Sequence, residues 1–95
     1  MLSQMKNGNQ DAILEGLKHK GAIYRINALI NIVRHTLVDS EEIIQKVYNL
    51  LEDNIFVDGY KVSDFAYAVL DLIGIETYSG NNNQIKELIE SKLDF

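Results

Sequence analysis

The sequence contains no cysteine, no proline and no tryptophan among its 95 residues. Without cysteine, disulfide bonds and cysteine-ligated zinc are excluded, and a cytoplasmic location is the simpler expectation. Without proline, helices are not interrupted by a residue that lacks the backbone N–H donor. No apolar run approaches the roughly 20 residues that span a membrane, and the polar residues 1–10 lack the hydrophobic stretch of a secretory signal. These absences favour a helical domain inside the cell that does not enter a membrane.

The composition is that of an ordinary globular domain. Hydrophobic residues make up 46% of the chain and charged residues 24%, which argues against disorder. A chain of this length is enough for one modest hydrophobic core. We therefore expect a single domain over residues 1–95.

The net charge of −5 is unevenly distributed along the chain. Residues 1–48 carry six Lys or Arg and five Asp or Glu, whereas residues 49–95 carry three and nine. A negative surface repels phosphate, so binding to nucleic acid is disfavoured, and an acidic half can instead attract a basic protein. The plainer interpretation, that these charges only keep the protein in solution, stays open.

Apolar residues recur at helical spacing in several segments. We predict five helices, over about residues 9–20, 22–37, 39–53, 63–73 and 84–93. An apolar turn at Leu2 and Met5 comes before them, and a polar turn is expected at 76–83. The first helix can be capped by Asn9 or Asp11, and Asp39 with Glu42 predicts a capping box for the third.

The helix at 22–37 has the clearest pattern of the five. Its apolar stripe includes Ile23, Ile26 and Ile30, which recur at three- and four-residue steps. The side chains expected on the opposite, polar side are Tyr24, Asn27, Asn31 and Arg34. A stripe this broad predicts contact with other helices on two sides.

The segment 54–62 has two interpretations. Ile55-Phe56-Val57 and Tyr60-Lys61-Val62 flank Asp58-Gly59, which is the pattern of a β-hairpin with a two-residue turn. An isolated hairpin is only marginally stable, however, and no further strand is visible in the chain. We favour an inter-helix loop whose apolar residues tuck under neighbouring helices, with a short hairpin at 55–62 as the alternative.

The chain also repeats itself faintly. Residues 28–33 read ALINIV, and residues 68–73 read AVLDLI forty positions later. Each copy lies in an amphipathic stretch that is followed by a loop and a second, shorter amphipathic stretch. A period of roughly 40 residues with two helices is typical of HEAT repeats.

The chain therefore resembles a HEAT-like α-helical repeat protein. Its units would be 22–53 and 62–93, preceded by a half-unit at 9–20, which together give an all-α superhelix of about two and a half helical pairs. The resemblance implies a protein-binding scaffold. In its small size, acidity and lack of cysteine, the chain is also similar in general look to bacterial immunity proteins, which neutralise a partner toxin.

The sequence shows no catalytic constellation and no pattern that requires a cofactor. Its histidines, His19 and His35, are too far apart in sequence for a zinc-binding HxxxH pair. The densest group of carboxylates consists of Asp53, Asp58, Asp64 and Asp71, but the ligand spacing of a calcium loop is absent. We expect no enzyme activity, no metal site and no cofactor.

Tyrosines and aspartates together give the predicted binding surface. Tyrosine is enriched at interfaces, and Tyr24 and Tyr67 lie at nearly matching positions on the polar sides of two long helices. The predicted partner-binding residues are Tyr24, Asp58, Tyr60, Asp64, Tyr67 and Asp71. The alternative, that each tyrosine only leans on the core with its hydroxyl in water, stays open.

These observations predict a non-enzymatic protein that binds another protein, with an immunity-type inhibitor of a basic toxin as the most specific version. The alternative is a regulatory or adaptor domain that acts as a homodimer.

Overall fold

Helices account for most of residues 2–76 and 83–92, the part of the chain that the computed structural model describes. In chain order the elements are α1 (Leu2–Lys6), α2 (Gln10–Leu17), α3 (Ala22–Arg34), α4 (Glu41–Asn49), β1 (Phe56–Val57), β2 (Tyr60–Lys61), α5 (Val62–Leu72) and α6 (Asn83–Lys92). One 3₁₀ turn, Leu50–Glu52, directly follows α4. The predicted all-α fold class is confirmed, and the five predicted helices are joined by a sixth, because the apolar turn at Leu2 and Met5 forms α1.

Helix α3 is one of three helices, with α2 and α5, that each pack on three other helices. It contacts α1, α2 and α5, while α6 packs on α5, and α4 packs on α2 and α5. Every helix contributes to the core, and the large side chains that are fully buried include Met5, Ile13, Leu29, Ile43, Leu70 and Ile89. Burying one such side chain stabilises the fold by about 1.5–3 kcal/mol. The HEAT-like resemblance stays a prediction.

A glycine permits the close approach of the first three helices. A Cβ atom added at Gly16 of α2 would lie 2.6 Å from Sδ of Met5 and 3.0 Å from Cβ of Ala28. Such distances are shorter than van der Waals contact, so any larger residue would push α1 or α3 away.

Helix α3 ends at Arg34 and does not continue to residue 37 as predicted. Thr36 has a φ of +49°, which is left-handed backbone. The backbone N–H of Leu37 donates to the carbonyl oxygen of Ile32 (3.1 Å), and that of Thr36 donates to Val33 (3.2 Å). These two bonds form a Schellman motif, which closes the helix.

Helix α4 is capped by Ser40, whose Oγ accepts a hydrogen bond from the backbone N–H of Ile43 (3.3 Å). The predicted capping box at Asp39 and Glu42 is therefore wrong by one position. Helix α2 is capped by Asn9, one of the two predicted candidates, whose Oδ1 accepts from the backbone N–H of Ala12 (3.0 Å).

The polar side predicted for α3 is only partly correct, because Asn31 is just 5% exposed. A tertiary contact is the reason, because α1 packs on α3 and Asn31 lies between the two helices.

Residues 55–62 form the hairpin, so the favoured prediction of a loop is wrong and the alternative is confirmed. Strands β1 and β2 pair antiparallel, with Val57 opposite Tyr60 and Phe56 opposite Lys61. Asp58 and Gly59 both have positive φ (+53° and +86°), as a type I′ turn requires. A two-stranded hairpin is marginal alone, but here Val57 and Tyr60 pack against the helical core.

Two predictions fall outside the described residues. They are most of the polar turn at 76–83 and the end of the last helix at Leu93.

Candidate functional site

Asp53 holds the base of the hairpin. Its carbonyl oxygen accepts a hydrogen bond from the backbone N–H of Ser63 (2.9 Å), and its Oδ1 accepts from the backbone N–H of Ile55 (3.1 Å). Oδ2 lies 2.8 Å from Nε of Arg25 on α3. The hairpin is thus fixed to α3 and to the start of α5 at its base, while its turn extends away from these contacts.

The two sides of the hairpin have different surroundings. The ring of Tyr60 meets that of Phe65 edge to face, with centroids 6.1 Å apart and an interplanar angle of 81°. On the other side, Nζ of Lys61 lies 5.8 Å from the centre of the Phe56 ring, in a cation–π contact. One side therefore joins the core, and the other carries the exposed Phe56 and the half-buried Lys61.

Three large apolar side chains are exposed in this region. Phe56 is 64% exposed, Ile55 is 55% exposed and Ile23 at the start of α3 is 52% exposed. The helical spacing predicts Ile23 in the inner stripe of α3, and the favoured loop would tuck Ile55 and Phe56 under helices; these predictions are wrong. Position 23 lies at the first turn of α3, Ile55 precedes β1, and Phe56 lies on the opposite side of β1 from the core-facing Val57.

A cleft of about 200 Å³ lies between the hairpin, α3, α5 and α6. Its walls are apolar, and the carboxylate-bearing residue Asp58 is its one acidic lining residue among those that the structure describes. The lining residues are Ile23, Ile26, Val57, Asp58, Tyr60, Phe65 and Leu88. An apolar cleft with one acidic group can take a long basic side chain, whose stem is apolar and whose head is charged.

Of the six predicted partner-binding residues, the cleft brings together Asp58 and Tyr60. Asp58 is exposed and forms no ion pair within residues 2–76 and 83–92. Tyr60 is half-buried, so its ring packs inward and leans on the core as the alternative interpretation expects.

Asp64 and Asp71 are occupied by contacts within the protein. Oδ2 of Asp64 accepts a hydrogen bond from the backbone N–H of Lys61 (3.1 Å), which caps the start of α5. Oδ2 of Asp71 lies 2.7 Å from Nζ of Lys86, an ion pair that joins α5 to α6. Both carboxylates therefore support the fold at these positions.

The other two predicted tyrosines do not line the cleft. Tyr24 is half-buried, and its ring lies 4.1 Å from that of His19, centroid to centroid, with a tilt of 31°. Tyr67 is half-buried on α5.

We define the hairpin surface as Ile23, Ile55, Phe56, Asp58 and Tyr60. Its apolar members are the part that sequence reasoning missed. For Phe56 the hairpin pattern carries a signal, since alternate residues of a strand face opposite sides and Val57 faces the core.

No group of three or more histidine or carboxylate side chains that could hold a metal ion occurs in the described part of the chain. Nor does any helix within it have the length and apolarity to cross a membrane. Comparison with protein-family models, with curated proteins and with solved structures finds no match.

Proposed function

We propose that this protein binds another protein through the hairpin surface, and that the partner contributes an apolar patch and a basic side chain. Two observations carry the proposal: Phe56 and Ile55 are exposed on the hairpin, and Ile23 is exposed in the cleft that Asp58 also lines. Aromatic side chains at the centre of an interface commonly supply much of its binding energy. We expect Phe56 to be such a residue.

Charge supports a basic partner. The half of the chain that contains the hairpin, residues 49–95, carries nine acidic and three basic residues. A field of this sign speeds the approach of a positively charged protein and disfavours acidic ones. Asp58 would then pair with an arginine or lysine whose stem lies against the apolar walls of the cleft.

The most specific version of this proposal is an immunity-type inhibitor that neutralises a basic toxin. Its support is the small size and acidity of the chain, together with the exposed hairpin surface. The proposed role needs no catalytic group, no metal and no cofactor, and we place it in the cytoplasm.

Capture of partners from a lysate of the source cells tests the proposal. The immobilised protein is compared with Phe56→Ser and Asp58→Asn, and bound proteins are quantified by mass spectrometry. The matched controls are Ile75→Ser, at a less exposed apolar position, and Glu15→Gln, an exposed acidic residue on α2. We expect a basic protein whose recovery falls about tenfold or more in both hairpin variants and stays constant in both controls.

If Phe56→Ser and Asp58→Asn both retain the partner as well as the wild-type chain does, the assignment of the hairpin surface is contradicted. If the captured protein is a toxin, its co-expression with the wild-type chain should restore growth, and co-expression with Phe56→Ser should not.

A homodimeric adaptor is the alternative. The same three exposed apolar side chains favour it, since those of one copy could cover those of a second copy. Sedimentation over a range of concentrations separates the two. A monomer–dimer equilibrium that Phe56→Ser abolishes supports the homodimer, whereas a monomer at every concentration excludes it.

A further inference from the structure

The backbone groups at the two outer edges of the hairpin follow from its hydrogen-bond pattern. The backbone N–H of Val62 donates to the carbonyl oxygen of Ile55 (3.0 Å), so positions 55 and 62 form a hydrogen-bonded pair. Along an antiparallel ladder such pairs alternate with pairs that exchange no hydrogen bond. Phe56 and Lys61, the next pair, therefore direct their backbone N–H and C=O groups away from the opposite strand of the hairpin.

The outer edge of β2 is closed by the protein itself. The backbone N–H of Lys61 donates to Oδ2 of Asp64 (3.1 Å), and α5 begins at Val62, directly after β2. A strand that continues straight into a helix leaves no length of edge for a further strand. A further strand can therefore join the hairpin on the β1 side.

The outer edge of β1 is open. The backbone N–H and C=O of Phe56 form no hydrogen bond within residues 2–76 and 83–92. Asn54, Ile55 and Phe56 are all exposed. Because buried backbone groups are almost always paired, the unpaired groups of Phe56 face solvent. They offer one donor and one acceptor to an incoming strand, and a third strand makes a marginal two-stranded hairpin more stable.

Charge decides between two occupants of this edge. A second copy of the chain brings another net charge of −5. Antiparallel pairing of two β1 strands centred on Phe56 would place Asp58 of each copy opposite Asn54 of the other, one residue from Asp53. Like charges this close are unfavourable, whereas a basic segment is attracted. The edge therefore favours a basic segment over a second copy.

We infer that an extended, basic segment of the partner adds antiparallel to β1 as a third strand. This inference rests on the proposed function and specifies how the hairpin surface is recognised. One residue of the segment exchanges two backbone hydrogen bonds with Phe56, and its side chain lies on the same side as the Phe56 ring.

The side chains of the segment alternate in their direction. The neighbours of the residue that pairs with Phe56 point to the opposite side of the sheet, which is the side of Val57. Val57 lines the cleft together with Asp58. A basic side chain from a neighbouring position can therefore reach the carboxylate of Asp58. The recognised sequence has an apolar residue between two basic residues.

The probe is the peptide acetyl-Thr-Lys-Val-Lys-Thr-amide, whose valine should pair with Phe56. A ¹H–¹⁵N NMR titration of the full chain follows its binding. We expect shifts within residues 54–62, slower exchange of the Phe56 amide proton and a Kd of about 1 mM, as suits a short flexible peptide that must be ordered on binding. The same peptide with glutamate in place of both lysines should bind about tenfold more weakly.

Methylation of single peptide nitrogens tests the backbone pairing. A methyl group on the valine nitrogen removes the N–H that faces Phe56, whereas the nitrogen of the second lysine faces away from β1. The peptide methylated at valine should bind about fivefold more weakly or less than the unmodified peptide. The peptide methylated at lysine should stay within about twofold of it.

Two variants test the same hydrogen bond from the side of the protein. Phe56→Pro and Phe56→Val both remove the ring, but only proline also removes the backbone N–H, which the hairpin itself does not use. Phe56→Pro should bind the peptide about fivefold more weakly than Phe56→Val. Thermal unfolding curves show whether both variants are folded, and the methylated peptides test the bond on the wild-type chain in any case.

Three results would overturn the inference. One is a loss of affinity on methylation of the lysine nitrogen that equals or exceeds the loss on methylation of valine. Another is no shift within residues 54–62 at about 10 mM peptide, well above the expected Kd. The third is protection of the Phe56 amide proton that rises with protein concentration in the absence of peptide, which identifies a second copy as the occupant.

Failure of this inference is distinguishable from failure of the proposed function. A natural partner that is lost in Phe56→Ser, but is bound equally by Phe56→Pro and Phe56→Val, leaves the hairpin surface as the binding site and excludes the added strand.

Discussion

Arg25 and Asp53 form an ion pair that joins α3 to the base of the hairpin. Nε of Arg25 lies 2.8 Å from Oδ2 of Asp53, and their side chains are only 12% and 13% exposed. Nη1 of Arg25 also donates to the carbonyl oxygens of His19 (2.6 Å) and Lys20 (3.0 Å). One side chain therefore connects the α2–α3 link, α3 and the hairpin.

Asp53→Asn should lower the free energy of unfolding by about 1–3 kcal/mol, because it removes the charge facing Arg25 and leaves that cation largely buried without its partner. The amide can still accept the hydrogen bond from the backbone N–H of Ile55. Urea denaturation measures the change, and Asp58→Asn, the same substitution at an exposed site, should stay within about 0.5 kcal/mol. Equal urea midpoints for the two variants would mean that the buried pair contributes no more than a surface charge.

Ser40→Ala should destabilise the protein by about 1 kcal/mol, because the backbone N–H of Ile43 loses its capping acceptor. Asp39→Ala should change the free energy of unfolding by less than about 0.5 kcal/mol, since Asp39 does not cap α4. Thermal or urea unfolding of the two variants measures the difference. A larger loss of stability in Asp39→Ala than in Ser40→Ala would instead support the predicted capping box at Asp39 and Glu42.

Gly16→Ala should destabilise the protein by about 1–3 kcal/mol, although alanine is the better helix former. The added methyl group would lie 3.0 Å from Cβ of Ala28 and 2.6 Å from Sδ of Met5. Met5 is flexible and can move, but Ala28 belongs to α3 and cannot move without the helix. A gain in stability in urea denaturation would show that the three helices have room to separate.

Gly59→Ala should destabilise the protein by about 1 kcal/mol through its backbone alone. Gly59 has a φ of +86°, and no atom lies near enough to meet an added Cβ. Gly59→Asn is the matched variant, because asparagine tolerates left-handed backbone better and should lose less. Equal losses for the two variants in urea denaturation would point to a cause other than the φ angle.

The helical part of the fold is predictable because it follows from local spacing. The steps between Ile26, Ile30 and Val33 place α3 correctly, and Asn9 correctly marks the start of α2. The end of α3 is harder to predict, since a threonine with positive φ closes it and glycine usually has that role. The hairpin is misjudged for a tertiary reason: Val57 and Tyr60 are stabilised by a core that lies elsewhere in the chain.

The candidate site is predictable only in part. The density of aspartates draws attention to the region of Asp58, which is exposed in the cleft. The same density includes Asp64 and Asp71, whose partners are a backbone N–H and Lys86. A sequence shows which carboxylates are present, but the partner of each depends on how the helices pack. The burial of Asn31 beneath α1 escapes prediction for the same reason.

Because Asp53 holds the hairpin at its base, the exposed positions of the hairpin are separate from those that stabilise the fold. Asp53 fixes the strands where they leave the helices, and Val57, Tyr60 and Val62 pack against or within the core. The outward positions Phe56 and Lys61 can therefore be randomised as a library on a constant scaffold. New binding specificities could arise there, in evolution or by design, without a redesign of the helical core.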